Sequence, residues 1–313
     1  YDLCQIFHAV PFHHGRQIFD NGLAGKGLHQ IGRPHAHGSG ACQHQLDNIL
    51  RRAELVKEAV KNGISAFALT DHDTTDGIDE AIDAGGKAGI EVIPGIEIST
   101  SYKDKEIHIV GLFIDYKNKE FHDAIYEEIK RRDARNRLLI QKFNEAGFPV
   151  SLEVLENMFP HSIITRAHFA SYMTKKGYVK DNKEAFSKYL GDGCPLYVSR
   201  EHKSVYDAVD MIKKAGGAAI LAHPLLYHLT MGELRDLCMG LKDCGLTGIE
   251  SMYSTYKGFD ELTVRKLAHE TGLLESGGSD FHGANKPDIH LGTGMGNLMI
   301  SYDYLDKLRN SLH

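Results

Sequence analysis

From Ala53 onward the chain alternates short apolar runs with stretches of helical period, and a His or carboxylate recurs where the apolar runs end. Ala53 to Asn62 carries Leu55, Val56, Ala59 and Val60 at helical spacing, and Gly63 stops it. Ile64 to Leu69 reads as a strand, Ile78 to Lys87 as a helix, and Ile90 to Ile93 as a second strand ended by a Pro94-Gly95 break. Ile96-Glu97-Ile98 continues extended, and Glu106 to Asp115 alternates as a β-segment. Such a rhythm predicts an α/β domain with a parallel sheet or barrel.

The rhythm stops at Lys117. Lys119–Ala146, Leu152–Met158, Arg166–Lys176 and Lys183–Leu190 all read as helices, with no strong strand between them. It resumes with helix Val205–Ala215, strand Ala218–Ala222, helix Met231–Cys244, strand Gly248–Ser251, helix Phe259–Thr271, strand Leu273–Ser276 and a last helix from Tyr302. The expected organisation is a first barrel part at 1–116, a helical insertion subdomain at 117–200 and a second barrel part at 201–313. Residues 1–52 match the rhythm poorly. They are rich in Gly and His, and seven of the 19 histidines fall within the first 44 positions.

Composition narrows the class. Hydrophobic residues are 42% and charged residues 25%, an ordinary globular balance. No apolar run approaches the roughly 20 residues of a membrane span, and Tyr1-Asp2-Leu3-Cys4 does not open like a signal peptide. A net charge of −6 gives no overall drive toward long duplex nucleic acid. Cys4, Cys42, Cys194, Cys238 and Cys244 form no CxxC pair, which fits reduced thiols in a cytoplasmic setting. Neither a membrane nor an obligate protein partner is expected.

The chemistry gathers at the strand ends. Asp71-His72-Asp73 follows the first regular strand, Glu97 lies between two Ile residues, and His108 sits inside Ile107-His108-Ile109. His223 ends Ala218–Ala222, and Asp280 and His282 follow the last strand. Taken singly, His108 also reads as a core histidine, His223 as a strand terminator and Asp71 to Asp73 as a helix cap. Glu97 is harder to dismiss, because an unpartnered buried carboxylate is costly. Together they place His and carboxylate from five strands at one rim, where barrel active sites are built. This donor mixture suits zinc, manganese or iron, and paired metals suit phosphate-ester hydrolysis.

The motifs Thr70-Asp71-His72-Asp73-Thr74, Pro94-Gly95-Ile96-Glu97-Ile98-Ser99, His108-Ile109-Val110-Gly111, Leu221-Ala222-His223-Pro224 and Gly278-Ser279-Asp280-Phe281-His282-Gly283 occur in this order. Over about residues 53 to 300 the chain thereby resembles the polymerase-and-histidinol-phosphatase (PHP) family of metal-dependent phosphoesterases. The resemblance implies a distorted (β/α)7 PHP barrel with a helical insertion subdomain, up to three divalent ions (Mn²⁺, Zn²⁺ or Fe²⁺), and hydrolysis by a metal-activated hydroxide. It implies a first metal on Glu97, Asp280 and a His-x-His pair, a second on Glu97, His108 and His223, and a third on His72, His282 and a carboxylate or His from the loop after the His-x-His pair. Glu97, His72 and Asp280 are the expected catalytic residues. Family members open on Asp-Leu-His-x-His, but here Cys4 follows Asp2-Leu3, and the one His-x-His is His35-Ala36-His37. His35, His37 and Asp47 are taken as the remaining ligands; a shifted reading frame before Ala53 would produce the same text.

The insertion resembles the subgroup acting on nucleoside 3′,5′-bisphosphates, whose relatives also trim the 5′ end of short RNA. Arg132, Arg135, Arg166, His168 and Lys286 are the expected substrate-binding residues, since Arg grips phosphate through paired hydrogen bonds. The ordinary alternative for the run Lys130–Arg137 is a solvated helix face. The expected function is thus a metal-dependent phosphoesterase for a small nucleotide or a short RNA 5′ end. A histidinol-phosphate-type phosphatase, and a nucleotide-binding protein impaired by its altered first strand, remain the alternatives.

Overall fold

A computed structural model describes residues 5–7, 52–103, 105–159, 163–199, 203–283 and 286–312. Its strands are β1 (Gln5–Phe7), β2 (Ala66–Leu69), β3 (Glu91–Tyr102), β4 (Lys105–Leu112), β5 (Lys203–Ser204), β6 (Ala218–Leu221), β7 (Gly248–Tyr253) and β8 (Leu274–Gly278). They form one sheet in the order β1-β2-β3-β4-β6-β7-β8, with β5 paired to β3. β1 also lies against β8, so the two ends of the path meet. Helix α1 runs through 52–61, and α2 (Ile78–Ala88), α7 (Val205–Lys214), α8 (Met231–Cys244), α9 (Asp260–Thr271) and α10 (Tyr302–Asn310) connect or flank the strands.

The sheet is mixed rather than parallel throughout. β2–β3, β6–β7 and β7–β8 are parallel, but β4 runs antiparallel to both β3 and β6, and β1 antiparallel to β2. The turn between β3 and β4 is too short for the crossover that parallel strands need. Nor does Pro94-Gly95 break the chain: β3 passes through it without interruption. The reason is a change of partner. Residues 91–94 pair with β2 and residues 95–102 with β4, so Pro94 closes one ladder and Gly95 opens the next. A Cβ on Gly95 would meet Thr70 Cγ2 at 2.6 Å and the Gly111 carbonyl oxygen at 2.9 Å.

Strand pleating sorts residues onto two faces. Ile96, Ile98, Ile107, Ile109, Ala219, Leu221 and Ile249 pack outward with residues of α7, α8 and α9. Ala66, Ala68, Ile93, Val110, Leu112, Ile220 and Met252 pack inward, closed at one end by Leu305 and Leu308 of α10. Glu97 and His108, flanked by outward-facing Ile residues, therefore share the inner face. The register sets Ser99 opposite His108 and Glu97 opposite Val110, which makes Glu97 and His108 diagonal neighbours.

Between β4 and β5 come α3 (Lys119–Glu145), α4 (Leu152–Met158), α5 (Arg166–Lys175), α6 (Asn182–Ala185) and a π-helical turn, Phe186–Leu190. α3 begins on the outer core through Phe121 and Ile125 and ends in a separate cluster with Leu139, Phe143, Leu155, Phe169 and Tyr172. The buried positions between these ends are polar: Glu128, Arg132, Arg135 and Asn136. Among the described residues no helix is long and apolar enough to cross a membrane.

Gly95→Ala should cost about 1–3 kcal/mol, the usual range for overpacking, because its nearest neighbours include fixed backbone. The urea unfolding midpoint checks this; an unchanged midpoint would show that β2 and β4 separate easily here.

Candidate metal centre

Glu97 is fully buried, and its carboxylate is ringed by imidazoles. Oε1 lies 2.8 Å from His108 Nδ1 and 3.1 Å from His223 Nε2, and Oε2 lies 3.4 Å from His72 Nε2. His72 reaches this point because the turn after β2 continues the parallel pairing. The Glu97 N–H donates to the Asp71 carbonyl at 3.1 Å, the Asp73 N–H donates to the Glu97 carbonyl at 2.8 Å, and His72 bridges Glu97. His223 follows β6, with its N–H donating to Glu250 Oε2 at 2.6 Å. Tyr227 ties this end of β6 to β4, donating to the Ala222 carbonyl at 2.6 Å and accepting from the His108 N–H at 3.0 Å.

A second group adjoins the first. His282 Nδ1 stands 3.1 Å from Asp280 Oδ1, while Asp280 Oδ2 accepts from Tyr253 at 2.5 Å and from Lys286 at 2.6 Å. The His72 ring links the groups, with centroids 4.8 Å from His108 and 6.2 Å from His282. Asp73, His223 and Asp280 have φ of 50°, 26° and 53°, left-handed values that favour glycine. Such strain persists only where surrounding contacts over-determine it.

Burial alone would push the Glu97 carboxyl up. The charges of His72 and His108, with hydrogen bonds from His108 and His223, instead hold it well below the usual carboxylate range. Burial opposes the charged form of His108, yet Glu97 and Glu106 drive its imidazole well above the ordinary value. For His223 burial prevails, and its pKa falls. Burial would also raise Asp280, but His282 and Lys286 hold it low.

The donor set fits a divalent cation. Ligand atoms of His72, Glu97 and His108 all lie within 4.8 Å of one another. Two imidazoles and a carboxylate suit zinc, manganese or iron. His72 Nδ1 and His223 Nδ1 are buried with no hydrogen-bond partner among the described residues, and a satisfied histidine core would not ordinarily leave them so.

Of the residues expected from sequence, His72, Glu97, His108 and His223 converge, and Asp280 and His282 form the adjoining pair. His35, His37 and Asp47 lie outside the described residues. Asp71 and Asp73 do not cap α2, which starts at Ile78 behind Gly77; they carry ion pairs with Arg52 and Arg132. Arg135 is buried on α3, its Nε donating to Asn136 Oδ1 at 3.0 Å. Arg166 pairs with Glu106, whose other oxygen stands 3.5 Å from His108 Nε2. His168 completes a capping box on α5, accepting from the Thr165 N–H at 3.0 Å. Glu250 and Tyr253 escaped sequence reading. Glu250 carried the same signal as Glu97, a carboxylate inside the apolar run Gly248–Tyr253; Tyr253 carried none.

The lowered Glu97 pKa stabilises the metal-free fold above the ordinary carboxylate pKa, and this is lost as pH falls through the lowered value. The raised His108 pKa contributes fully below about 6.5 and is lost as pH rises through the raised value. Chelated protein should therefore melt earlier as pH rises past the imidazole range. Added Mn²⁺ should reduce that loss, because a metal takes His108 in neutral form. Thermal unfolding between about pH 6 and 9, with and without chelator, reads both effects. A chelated protein that gains stability across that range would contradict the assignment.

The model of the PHP domain matches residues 42–193. A 5′-3′ exoribonuclease of Haemophilus influenzae is 35% identical over 79% of this chain and 88% of its own length. A 3′,5′-nucleoside bisphosphate phosphatase of Chromobacterium violaceum is 34% identical over 75% and 83%. Among solved structures, one from Chromobacterium violaceum described as an amidohydrolase, with bound sulfate and no metal, superposes with a TM-score of 0.73 at 30% identity, covering 83% of this chain and 90% of that one. A Bifidobacterium adolescentis protein described as a metal-dependent phosphoesterase superposes with a TM-score of 0.72 at 25% identity, covering 82% and 89%.

Proposed function

The chain belongs to the PHP family and is a metal-dependent phosphoesterase, and from that premise we propose that it hydrolyses a phosphate monoester of a small nucleotide, a nucleoside 3′,5′-bisphosphate. The observation carrying this reading is the buried Glu97 carboxylate held by three imidazoles beside the Asp280–His282 pair. Glu97, His72, His108, His223, Asp280 and His282 would hold the divalent ions. Bound divalent ions supply the Lewis acidity that activates water and neutralises phosphate oxygens.

The side chains of the chain itself do the rest. Glu97 presents two oxygens to different imidazoles, the arrangement needed for a carboxylate shared between cations. Tyr253 and Lys286 fix the Asp280 carboxylate, and Glu250 fixes the backbone of His223. Arg166, carried on the insertion and coupled through Glu106 to His108, would exchange its carboxylate partner for a substrate phosphate, with paired hydrogen bonds to match. Arg135, His168 and Lys286 stay candidates for that side of the site. Trimming of a short RNA 5′ end is a second reading of the same chemistry, supported by the exoribonuclease relatives. The net charge of −6 favours small substrates over long duplexes.

Phosphate release from adenosine 3′,5′-bisphosphate with Mn²⁺ tests the proposal, with a short 5′-phosphorylated RNA and histidinol phosphate run alongside. Chelator-sensitive turnover fastest on the bisphosphate is the expected result. Glu97→Gln should abolish turnover while leaving the far-UV circular dichroism unchanged. Turnover that survives either chelation or Glu97→Gln would defeat the proposal, and faster release of nucleotides from RNA would move it to the second reading.

A further inference from the structure

The turn carrying His72 is gripped from both sides. On one side Asp71 pairs with Arg52 of α1, with 2.7 Å between Nη2 and Oδ2. On the other side Asp73 Oδ2 accepts from Arg132 of α3, and both side chains are almost fully buried, at 2% and 1% exposure. The second Asp73 oxygen accepts from the Ser99 N–H at 2.8 Å, and the Asp73 N–H donates to the Glu97 carbonyl at 2.8 Å. Asp73 is thus bound at three points or more while its backbone holds φ at 50°, which a non-glycine residue adopts only under constraint. The turn is fastened to β3 on both sides of Glu97, and the fastener comes from the helix that opens the insertion.

Resting on the metal-centre reading above, we propose that Arg132 is a positioning residue: it acts through Asp73 to hold His72 against Glu97 and does not grip substrate. Three observations support this. Its guanidinium is almost fully buried, at 2% exposure. Its partner is a carboxylate already shared with β3. On α3 it sits between buried apolar residues packed on the barrel and others packed among the insertion helices, so the ion pair fixes the helix beside the turn that carries His72. Loss of the guanidinium would take a charged partner from the buried Asp73 carboxylate, an unfavourable change that the turn can relieve by moving. His72 would move with it. Ligand-orienting residues outside the coordination sphere commonly change metal affinity about 10–100-fold when removed.

The experiment is a Mn²⁺ titration by calorimetry on wild type, Arg132→Met, Arg132→Lys and the double variant Arg132→Met/Asp73→Asn. kcat and KM are measured on p-nitrophenyl phosphate, which has no nucleoside, and on adenosine 3′,5′-bisphosphate. The double variant also removes the Asp73 charge and answers if Arg132→Met does not fold. Arg132→Met and the double variant should bind Mn²⁺ about 10–100-fold more weakly. Their kcat should fall on both substrates at saturating metal, with KM for the bisphosphate nearly unchanged, and Arg132→Lys should recover part of the metal affinity. Unchanged Mn²⁺ affinity with a raised KM for the bisphosphate alone would make Arg132 a substrate clamp and overturn the proposal. Unchanged affinity with unchanged kinetics would reduce it to helix packing and overturn it equally. A wild type that binds no Mn²⁺ would instead remove the metal-centre reading on which the proposal rests.

Discussion

A carboxylate with almost no exposed surface cannot stay ionised in a protein interior unless positive charge or strong hydrogen-bond donors surround it. Glu97 meets that condition through His72, His108 and His223, which come from three separate places in the chain. Each imidazole must arrive on its own backbone segment. β4 therefore has to lie in register beside β3, β6 beside β4, and the turn after β2 has to extend the β2–β3 pairing one step further. The mixed sheet is the geometry that brings these segments to one carboxylate. The same carboxylate that needs cations in the metal-free fold is the natural ligand when a divalent ion enters.

The surrounding structure resists rearrangement of these groups. Asp73, His223 and Asp280 all take left-handed backbone at the site, and each is tied down by a different contact: β3 and Arg132 for Asp73, Glu250 for His223, and Tyr253 with Lys286 for Asp280. Preorganisation of this sort costs folding energy and returns it as precise placement of charge. The long helix α3 joins the two parts of the design. Its buried positions are apolar toward both ends and polar or charged in the middle, so it packs firmly at both ends while its polar middle passes the turn that carries His72.

Much of this was legible in the sequence, because carboxylates and histidines inside apolar runs are conspicuous. Glu97 between two Ile residues and His108 between two more could be placed on an inner face from the two-residue period alone. The continuity of β3 could not be read, since Pro94-Gly95 normally punctuates a chain and only the change of strand partner explains its tolerance. Arg132 was visible as a charge but not as a structural pair: Asp73 lies 59 residues away, and the run Lys130–Arg137 looks uniform until helix geometry turns Arg132 and Arg135 inward and leaves Lys130 outside. Glu250 was overlooked although, like Glu97, it is a carboxylate inside an apolar run, and Tyr253 because an apolar strand accommodates tyrosine without comment. His35, His37 and Asp47 lie outside the described residues, so the site described rests on the six donors from His72 to His282.

On this reading Glu97 and its imidazoles form a metal centre. A crystal of the protein grown with Mn²⁺ and measured at the manganese absorption edge tests it directly. An anomalous peak is expected within coordination distance, about 2.0–2.3 Å, of Glu97 and at least two of His72, His108 and His223. A structure at full Mn²⁺ with no anomalous peak there, and with Glu97 still hydrogen-bonded to His108 and His223, would contradict it.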